Sequence, residues 1–180
     1  MISEEYRAQQ KKLHEDPFYG VASQVYAPFV AKVINTFGVR EVLDYGAGKQ
    51  RLYEVLRGFG GIRHRWDYIP YEPSDDSCCK PPKPAEMVTC IDVLEHIEPD
   101  HLDAVLDDLQ RVTKRLLYAT VHCKPAIKVL PDGRNAHLTQ QPLRWWLPKL
   151  MQRFDLQTVT ATHDGFECIL NPIGQHLDHH

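Results

Sequence analysis

The chain has 180 residues, of which 43% are hydrophobic, and a formal net charge of −3. This length suits one domain with a single sizeable core. Because 24 acidic residues outnumber 21 basic ones, the overall charge argues against a strongly basic nucleic-acid binder. No apolar run reaches the roughly 18 residues of a membrane span, and the polar N-terminus lacks the apolar centre of a signal peptide. We therefore expect a cytoplasmic protein without membrane contact.

The chain contains five cysteines, an odd number, and none of them forms a Cys-x-x-Cys pair. This usage argues against a disulfide framework and is typical of a reducing compartment. Structural zinc sites need clustered ligands at short, repeated spacing. The adjacent pair Cys78-Cys79 does not fit that pattern, so we expect no metal site.

The first 38 residues are predicted to be helical. A polar helix is expected over 4–13 and a more apolar one over 21–37, which Gly38 ends. The second helix has its large apolar residues at helical spacing. They are Val25, Phe29, Val33 and Phe37. Because this segment is rich in aromatic residues, Tyr19 among them, we interpret residues 1–38 as a lid or cap and Tyr19 as a substrate contact.

The following residues alternate between strand and helix patterns. Strands are predicted over 41–45, 66–71, 87–92 and 115–122, and helices over 51–56, 99–114 and 142–154. Two further strands, 157–163 and 166–171, flank the hairpin-turn signal Asp164-Gly165. This order predicts an α/β fold, Rossmann-like and doubly wound, with a mostly parallel sheet and an antiparallel strand from the terminal hairpin.

The sharpest local signal is a glycine loop directly after the first strand. That strand ends at Asp44-Tyr45, and Gly46-Ala47-Gly48 follows. Glycine permits the turn and lets a ligand approach the main chain. The dinucleotide fingerprint requires a third small residue, but Arg51 occupies that position. A nicotinamide cofactor is therefore disfavoured.

With this loop, the chain resembles the class I S-adenosylmethionine (SAM) dependent methyltransferases, and among them a compact subgroup that is partly phage-encoded. Three later stretches agree in order with that family. The sequence IPYEP at 69–73 is similar to the end of its second strand, CIDVLEHI at 90–97 to its fourth-strand segment, and NAHL at 135–138 to the segment after its fifth strand. The resemblance covers about residues 39–171.

The resemblance implies SAM as the cofactor, bound by a domain over 39–174 that leaves 175–180 as a tail. It implies that the cofactor contacts lie in the glycine loop and at the ends of two further strands. These residues are Asp44, Gly46, Ala47, Gly48, Glu72, Asp92 and Val93. Asp44 could instead cap the following helix, and Asp67 is a rival to Glu72 for the ribose hydroxyls because it lies about 20 residues after the loop.

The chain departs from the family between the family's second and fourth strands. Only residues 73–86 separate Glu72 from the next strand, where the family has a further helix and strand. We therefore expect this region to be reduced, which leaves the adenine contacts open.

Methyl transfer is an in-line displacement, and it needs a base only where the nucleophile starts protonated. His137 is the candidate base, since histidine titrates near neutral pH. His96 is a second catalytic candidate, with packing against the next helix as the alternative. Arg134 and Asn135, in the same polar loop as His137, are predicted substrate contacts.

The sequence thus predicts SAM-dependent methyl transfer to a small, polar acceptor: a metabolite, a nucleotide or a modified base. The alternatives are a non-catalytic SAM-fold binding protein and a nucleotide-binding oxidoreductase. We expect a small-molecule substrate, do not favour nucleic acid, and leave open a monomer or a homodimer.

Overall fold

The computed structural model describes residues 2–58 and 61–174. The helices are α1 (Glu4–Leu13), α2 (Ser23–Phe37), α3 (Arg51–Gly58), α4 (Pro99–Val112) and α5 (Leu143–Met151). The strands are β1 (Glu41–Tyr45), β2 (Asp67–Tyr71), β3 (Ala85–Ile91), β4 (Thr113–His122), β5 (Phe154–Ala161) and β6 (Gly165–Pro172). Among these helices, none is long and apolar enough to cross a bilayer. The predicted tail over 175–180 lies outside the described residues.

The six strands form one sheet in the order β2-β1-β3-β4-β6-β5. Strand β1 pairs in parallel with β2 and β3, and β3 pairs in parallel with β4. Strand β6 is antiparallel to both of its neighbours, β4 and β5. The predicted α/β fold, with a mostly parallel sheet and an antiparallel terminal hairpin, is confirmed.

Helices cover both faces of the sheet. Because neighbouring residues of a strand point to opposite faces, each central strand contributes to both cores. Leu43 and Val88 belong to the core under α4 and α5, whereas the preceding residues, Val42 and Met87, belong to the core under α2 and α3. All four side chains are fully buried. Burial on both faces explains why the central strands are apolar without alternation.

The buried face of α2 agrees with the predicted one at Val33, which lies in the core, but not at Val25. Val25 is 73% exposed, whereas Ala27, Ala31 and Ile34 are buried. These three residues follow one another at helical spacing, and the two small alanines let the helix lie close to the sheet. At the start of the helix, small alanines and not the larger Val25 therefore define the face that packs.

The boundary between α5 and β5 also differs from prediction. Helix α5 ends at Met151 and β5 begins at Phe154, although the sequence pattern extended the helix to 154 and began the strand at 157. Phe154 is 1% exposed and pairs with Pro172 of β6. Burial of this ring between the sheet and its helices favours the earlier start of the strand.

The segment between β2 and β3 is reduced, as predicted. Residues 72–84, all of them described, contain only turns and irregular backbone. Prolines at 81, 82 and 84 disfavour a helix there because they lack the N–H donor. As a result, β2 is an edge strand in the sheet of described residues.

Candidate active site

A cavity of about 500 Å³ lies at the edge of the sheet where the parallel strands end. Open α/β sheets bind their ligands at this edge. One wall consists of the segments that follow β1, β2, β3 and β4, and the opposite wall consists of α1 and the residues after it. The predicted site residues on these walls are Tyr19, Gly46, Ala47, Gly48, Glu72, Asp92, Val93, His96 and His137.

The glycine loop has a shape that only glycine fits at its first position. Gly46 has φ +82°, and a β-carbon there would lie 2.4 Å from Cγ2 of Val93. The main-chain N–H groups of Gly46 and Ala47 both donate to the carbonyl of Tyr71, at 2.8 and 3.0 Å. The loop is thus held against the end of β2, with its outer surface on the cavity.

Glu72 joins the ends of β1 and β2 at the cavity wall. Its carboxylate accepts hydrogen bonds from the N–H of Gly48 (3.1 Å) and from the N–H and hydroxyl of Ser74 (3.0 and 2.7 Å). The rival, Asp67, is exposed at the opposite end of β2. The structure therefore brings Glu72 to the cavity and leaves Asp67 away from it.

Asp44 lies beneath the glycine loop and is absent from the cavity wall. Its side chain is 2% exposed and accepts hydrogen bonds from the hydroxyls of Tyr68 (2.6 Å) and Thr89 (2.9 Å). Burial raises the pKa of Asp44 to about 6. Each carboxylate oxygen is held by one hydroxyl of a neighbouring strand, and the expected contact of Asp44 with the cofactor stays a prediction.

Asp92, directly after β3, has a left-handed backbone conformation that is uncommon for residues other than glycine. Its φ is +52°, a strain that typically costs about 1–3 kcal/mol and gathers at functional sites. Thr120 of β4 holds it in place: the threonine hydroxyl donates to Oδ1 (2.6 Å) and accepts from the Asp92 N–H (2.9 Å). This arrangement keeps the carboxyl group on the cavity wall.

Two imidazoles meet on the far side of the cavity. The rings of His96 and His137 lie edge to face, with centroids 4.7 Å apart. Nδ1 of His96 lies 2.8 Å from the carbonyl of Ala136, and Nδ1 of His137 lies 2.6 Å from the carbonyl of Lys124. Burial lowers the pKa of His96 to about 3 and also lowers that of His137. Both rings are therefore neutral at pH 7.

The N-terminal segment covers the cavity and is held by polar contacts. Arg7 and Lys11 of α1 both pair with Asp76, each at 2.8 Å. The Tyr19 hydroxyl donates to Gln10 (2.9 Å), and the Tyr19 ring lies 6.1 Å from that of His96. Burial raises the pKa of Tyr19 to about 12. Tyr19 therefore lies on the cavity wall as a neutral phenol.

Arg134 and Asn135 do not line the cavity, and their expected contact with the substrate stays a prediction. Arg134 pairs with Asp132 at 2.7 Å on the surface. Asn135 accepts from the N–H groups of Ala126 and His137, both at 2.9 Å, and donates to the Ala126 carbonyl at 2.8 Å. Its side chain is thus used to shape the loop that carries His137.

Three contacts near the cavity were not predicted from the sequence, although His14 belongs to the aromatic segment interpreted as a lid. His122 ends β4, and its ring lies 5.0 Å from that of His137; its place at the end of a buried strand was an available signal. Lys49 donates to the Tyr19 carbonyl at 2.7 Å and to that of Asp16. The His14 ring lies between Gly20 and Gly48. The contacts of Lys49 and His14 join segments that are distant in the sequence, so no local pattern predicts them.

The α/β fold with a cavity at the carboxyl edge of its parallel strands is that of a Rossmann-like enzyme domain, and a family model identifies the family. The methyltransferase domain model matches residues 20–166. The chain belongs to this family. The match confirms the predicted family and supports SAM as its cofactor, and it argues against the oxidoreductase alternative. The phage-encoded subgroup stays a prediction. No curated protein matches the chain significantly.

Several solved structures share the fold. One is the Burkholderia thailandensis 1,6-didemethyltoxoflavin-N1-methyltransferase with bound 1,6-didemethyltoxoflavin and S-adenosylhomocysteine (TM-score 0.65, 14% identity, covering 93% of this chain and 89% of that one). Another is a SAM-dependent methyltransferase from Aquifex aeolicus (TM-score 0.60, 14% identity, 91% and 97%). A third is DhpI in complex with SAH (TM-score 0.55, 14% identity, 95% of each chain).

Proposed function

We propose that this chain transfers the methyl group of SAM to a small, polar acceptor bound in the cavity. The observation that carries the proposal is that one cavity has the glycine loop and Glu72 on one side and the His96–His137 pair on the other. A volume of about 500 Å³ falls within the usual range of small-molecule sites, roughly 300–1,000 Å³. SAM and the acceptor would occupy the two sides of this one cavity.

The residues on the first side fit SAM. At Gly46 and Gly48 a β-carbon would meet Val93 and the Gly20 carbonyl at 2.4 and 3.2 Å, so both positions need glycine, and the loop offers its bare main chain to a ligand. Glu72 receives three hydrogen bonds from the protein. Since a carboxylate offers about four acceptor sites, Glu72 retains capacity for a ribose hydroxyl.

Bound SAM supplies an activated methyl group on a positively charged sulfur. The protein's part is to place the acceptor in line with that methyl group, which is worth roughly 7–11 kcal/mol when the reactants are well oriented. Asp92 adds a carboxyl group to the wall, which favours a cation nearby. The neutral rings of His96 and His137 form the acceptor side, where the candidate base His137 lies.

The experiment that tests the proposal is a screen for methyl transfer. The wild type is incubated with SAM and with nucleotides, nucleic acids, and hydroxylated or acidic metabolites, and mass spectrometry follows S-adenosylhomocysteine and the methylated acceptor. We expect turnover with a small acceptor, lost in Glu72→Gln and kept in Glu54→Gln, whose side chain pairs with Arg51 on the surface of α3.

Two other results would favour a different function. Turnover on nucleic acid alone would contradict the small acceptor. Binding of S-adenosylhomocysteine without turnover on any panel member would favour the non-catalytic SAM-fold protein.

A further inference from the structure

Three potential ligand groups converge at the far side of the cavity. Glu95 and His96 belong to the short 3₁₀ turn Leu94–His96 after β3, and His137 belongs to the loop after β4. One ligand atom from each of these residues lies within 4.8 Å of the other two. The cysteine spacing predicted no metal site, whereas the fold brings these three residues together from two separate segments.

Both histidines have a fixed tautomer. Each Nδ1 lies at hydrogen-bond distance from a main-chain carbonyl, that of Ala136 for His96 and that of Lys124 for His137. A carbonyl accepts only, so Nδ1 carries the proton and Nε2 keeps a lone pair. Histidine ligands of metal ions have this arrangement, in which the outer N–H is bound to a carbonyl or carboxylate.

Glu95 supplies an independent observation. Its side chain is fully buried, and Oε1 accepts from the His122 N–H at 2.9 Å. Oε2 has no hydrogen-bond partner among the described residues. A buried polar atom without a partner costs about 1–3 kcal/mol, so an unpaired carboxyl oxygen beside two imidazole lone pairs indicates a missing positive ligand.

We infer that Glu95, His96 and His137 form a binding site for one divalent first-row transition-metal ion, so that the Nε2 lone pair of His137 would bind the ion instead of serving as a base. Imidazole suits zinc, iron, nickel and copper, whereas magnesium and calcium prefer oxygen ligands alone. Two histidines and a glutamate are also a known ligand set of catalytic zinc, which leaves a further position for water or substrate.

The ligand atoms need only a small adjustment to bind such an ion. Metal–ligand bonds of about 2.0–2.1 Å in a tetrahedral site place the ligand atoms about 3.3 Å apart, compared with the observed upper limit of 4.8 Å. Rotation of the side chains can close this gap, while the Thr139 N–H bond to the Glu95 carbonyl (2.9 Å) keeps the two segments together.

The site lies on the acceptor side of the cavity, since His96 and His137 both line it. Water would occupy the open coordination positions of the ion. An oxygen atom of the acceptor could replace that water, and this last part rests on the proposed function. Metal binding itself does not depend on SAM, so its test is separate from that of methyl transfer.

The test is a titration of metal-free protein with Co²⁺ and Zn²⁺ alone. Because His176, His179 and His180 could bind metal by themselves, the full chain carries His→Gln changes at these three positions, without an affinity tag. We expect one equivalent to bind, with the visible absorption of Co²⁺ in a nitrogen and oxygen site. Glu95→Gln, His96→Gln and His137→Gln should each weaken binding at least about tenfold.

The matched control is His101→Gln, whose histidine lies on α4 with a side chain 40% exposed; its affinity should equal that of the background chain. Nitrogen NMR of the imidazoles needs no variant in the site: Zn²⁺ should shift Nε2 of His96 and His137 and leave each Nδ1 protonated. The inference would be overturned if Co²⁺ did not bind, if Zn²⁺ left the Nε2 signals unshifted, or if Mg²⁺ bound as tightly as Zn²⁺. If S-adenosylhomocysteine still binds, the methyltransferase proposal survives that failure.

Discussion

A β-carbon at Gly46 would lie 2.4 Å from Cγ2 of Val93, so the glycine loop after β1 and the segment after β3 are in contact with no space for a side chain. The two segments are 47 residues apart in the chain but come from neighbouring parallel strands. This contact brings two predicted cofactor segments to the same wall of the cavity.

Gly46→Ala should therefore destabilise the protein by about 3 kcal/mol, since overpacking adds to the cost of positive φ. The control is Gly38→Ala, because Gly38 has φ +61° and nothing within 4 Å of its β-carbon. That variant should lose only about 1 kcal/mol. Urea unfolding measures both free energies. Equal losses would show that the contact with Val93 is unimportant.

Asp44 should make stability depend on pH in a defined direction. Its pKa is raised from 3.8 to about 6, so between these pH values the folded chain binds more protons than the unfolded one. Stability from this group is therefore present below pH 4 and decreases as pH rises to about 6, by about 3 kcal/mol for two pKa units.

The variant Asp44→Asn cannot titrate. Its amide oxygen can accept a hydrogen bond from one of the hydroxyls of Tyr68 and Thr89, and its amide N–H can donate to the other. The free energy of unfolding of the wild type minus that of Asp44→Asn should decrease from about pH 4 to about pH 7 and then stay constant. Urea unfolding across this range measures the difference. A difference that rises with pH would contradict the assignment.

Asn135 should stabilise the loop that carries His137. Asn135→Ala leaves the N–H groups of Ala126 and His137 without their partner, and we expect a loss of about 2 kcal/mol. Arg134→Ala, the neighbouring change at an exposed ion pair, should stay within about 0.5 kcal/mol of the wild type. Thermal unfolding compares the two variants, and similar losses would refute the structural role of Asn135.

Asp76 should hold α1 over the cavity. Asp76→Asn removes the partner of both Arg7 and Lys11, so amide hydrogen exchange in α1 should become faster while the sheet is unchanged. The control is Asp107→Asn, which breaks an ion pair with Arg153 away from the cavity. Unchanged exchange in α1 would show that these pairs do not anchor the predicted lid.

The sequence predicted the parts of this protein that depend on local pattern. The strands around Leu43 and Val88, the glycine loop, and the absence of a helix over 72–84 follow from apolar runs, glycine and proline. The face of α2 followed only in part, because Val33 is buried as its spacing predicts while Val25 is exposed and Ala31 packs on the core.

The candidate site was predictable where residues follow strand ends, as Glu72 and Asp92 do. It was not predictable where two distant segments meet. Arg134 was predicted to contact the substrate, but in the structure its side chain pairs with the neighbouring Asp132. The unpaired oxygen of Glu95 depends on the packing of three segments, and no sequence spacing encodes it.

The most direct test of the central claim is a calorimetric titration of the wild type with S-adenosylhomocysteine. We expect one equivalent to bind with micromolar affinity, and Glu72→Gln to weaken it while Glu54→Gln does not. No binding heat at millimolar ligand, at more than one temperature, would contradict the assignment of the cavity as a SAM site.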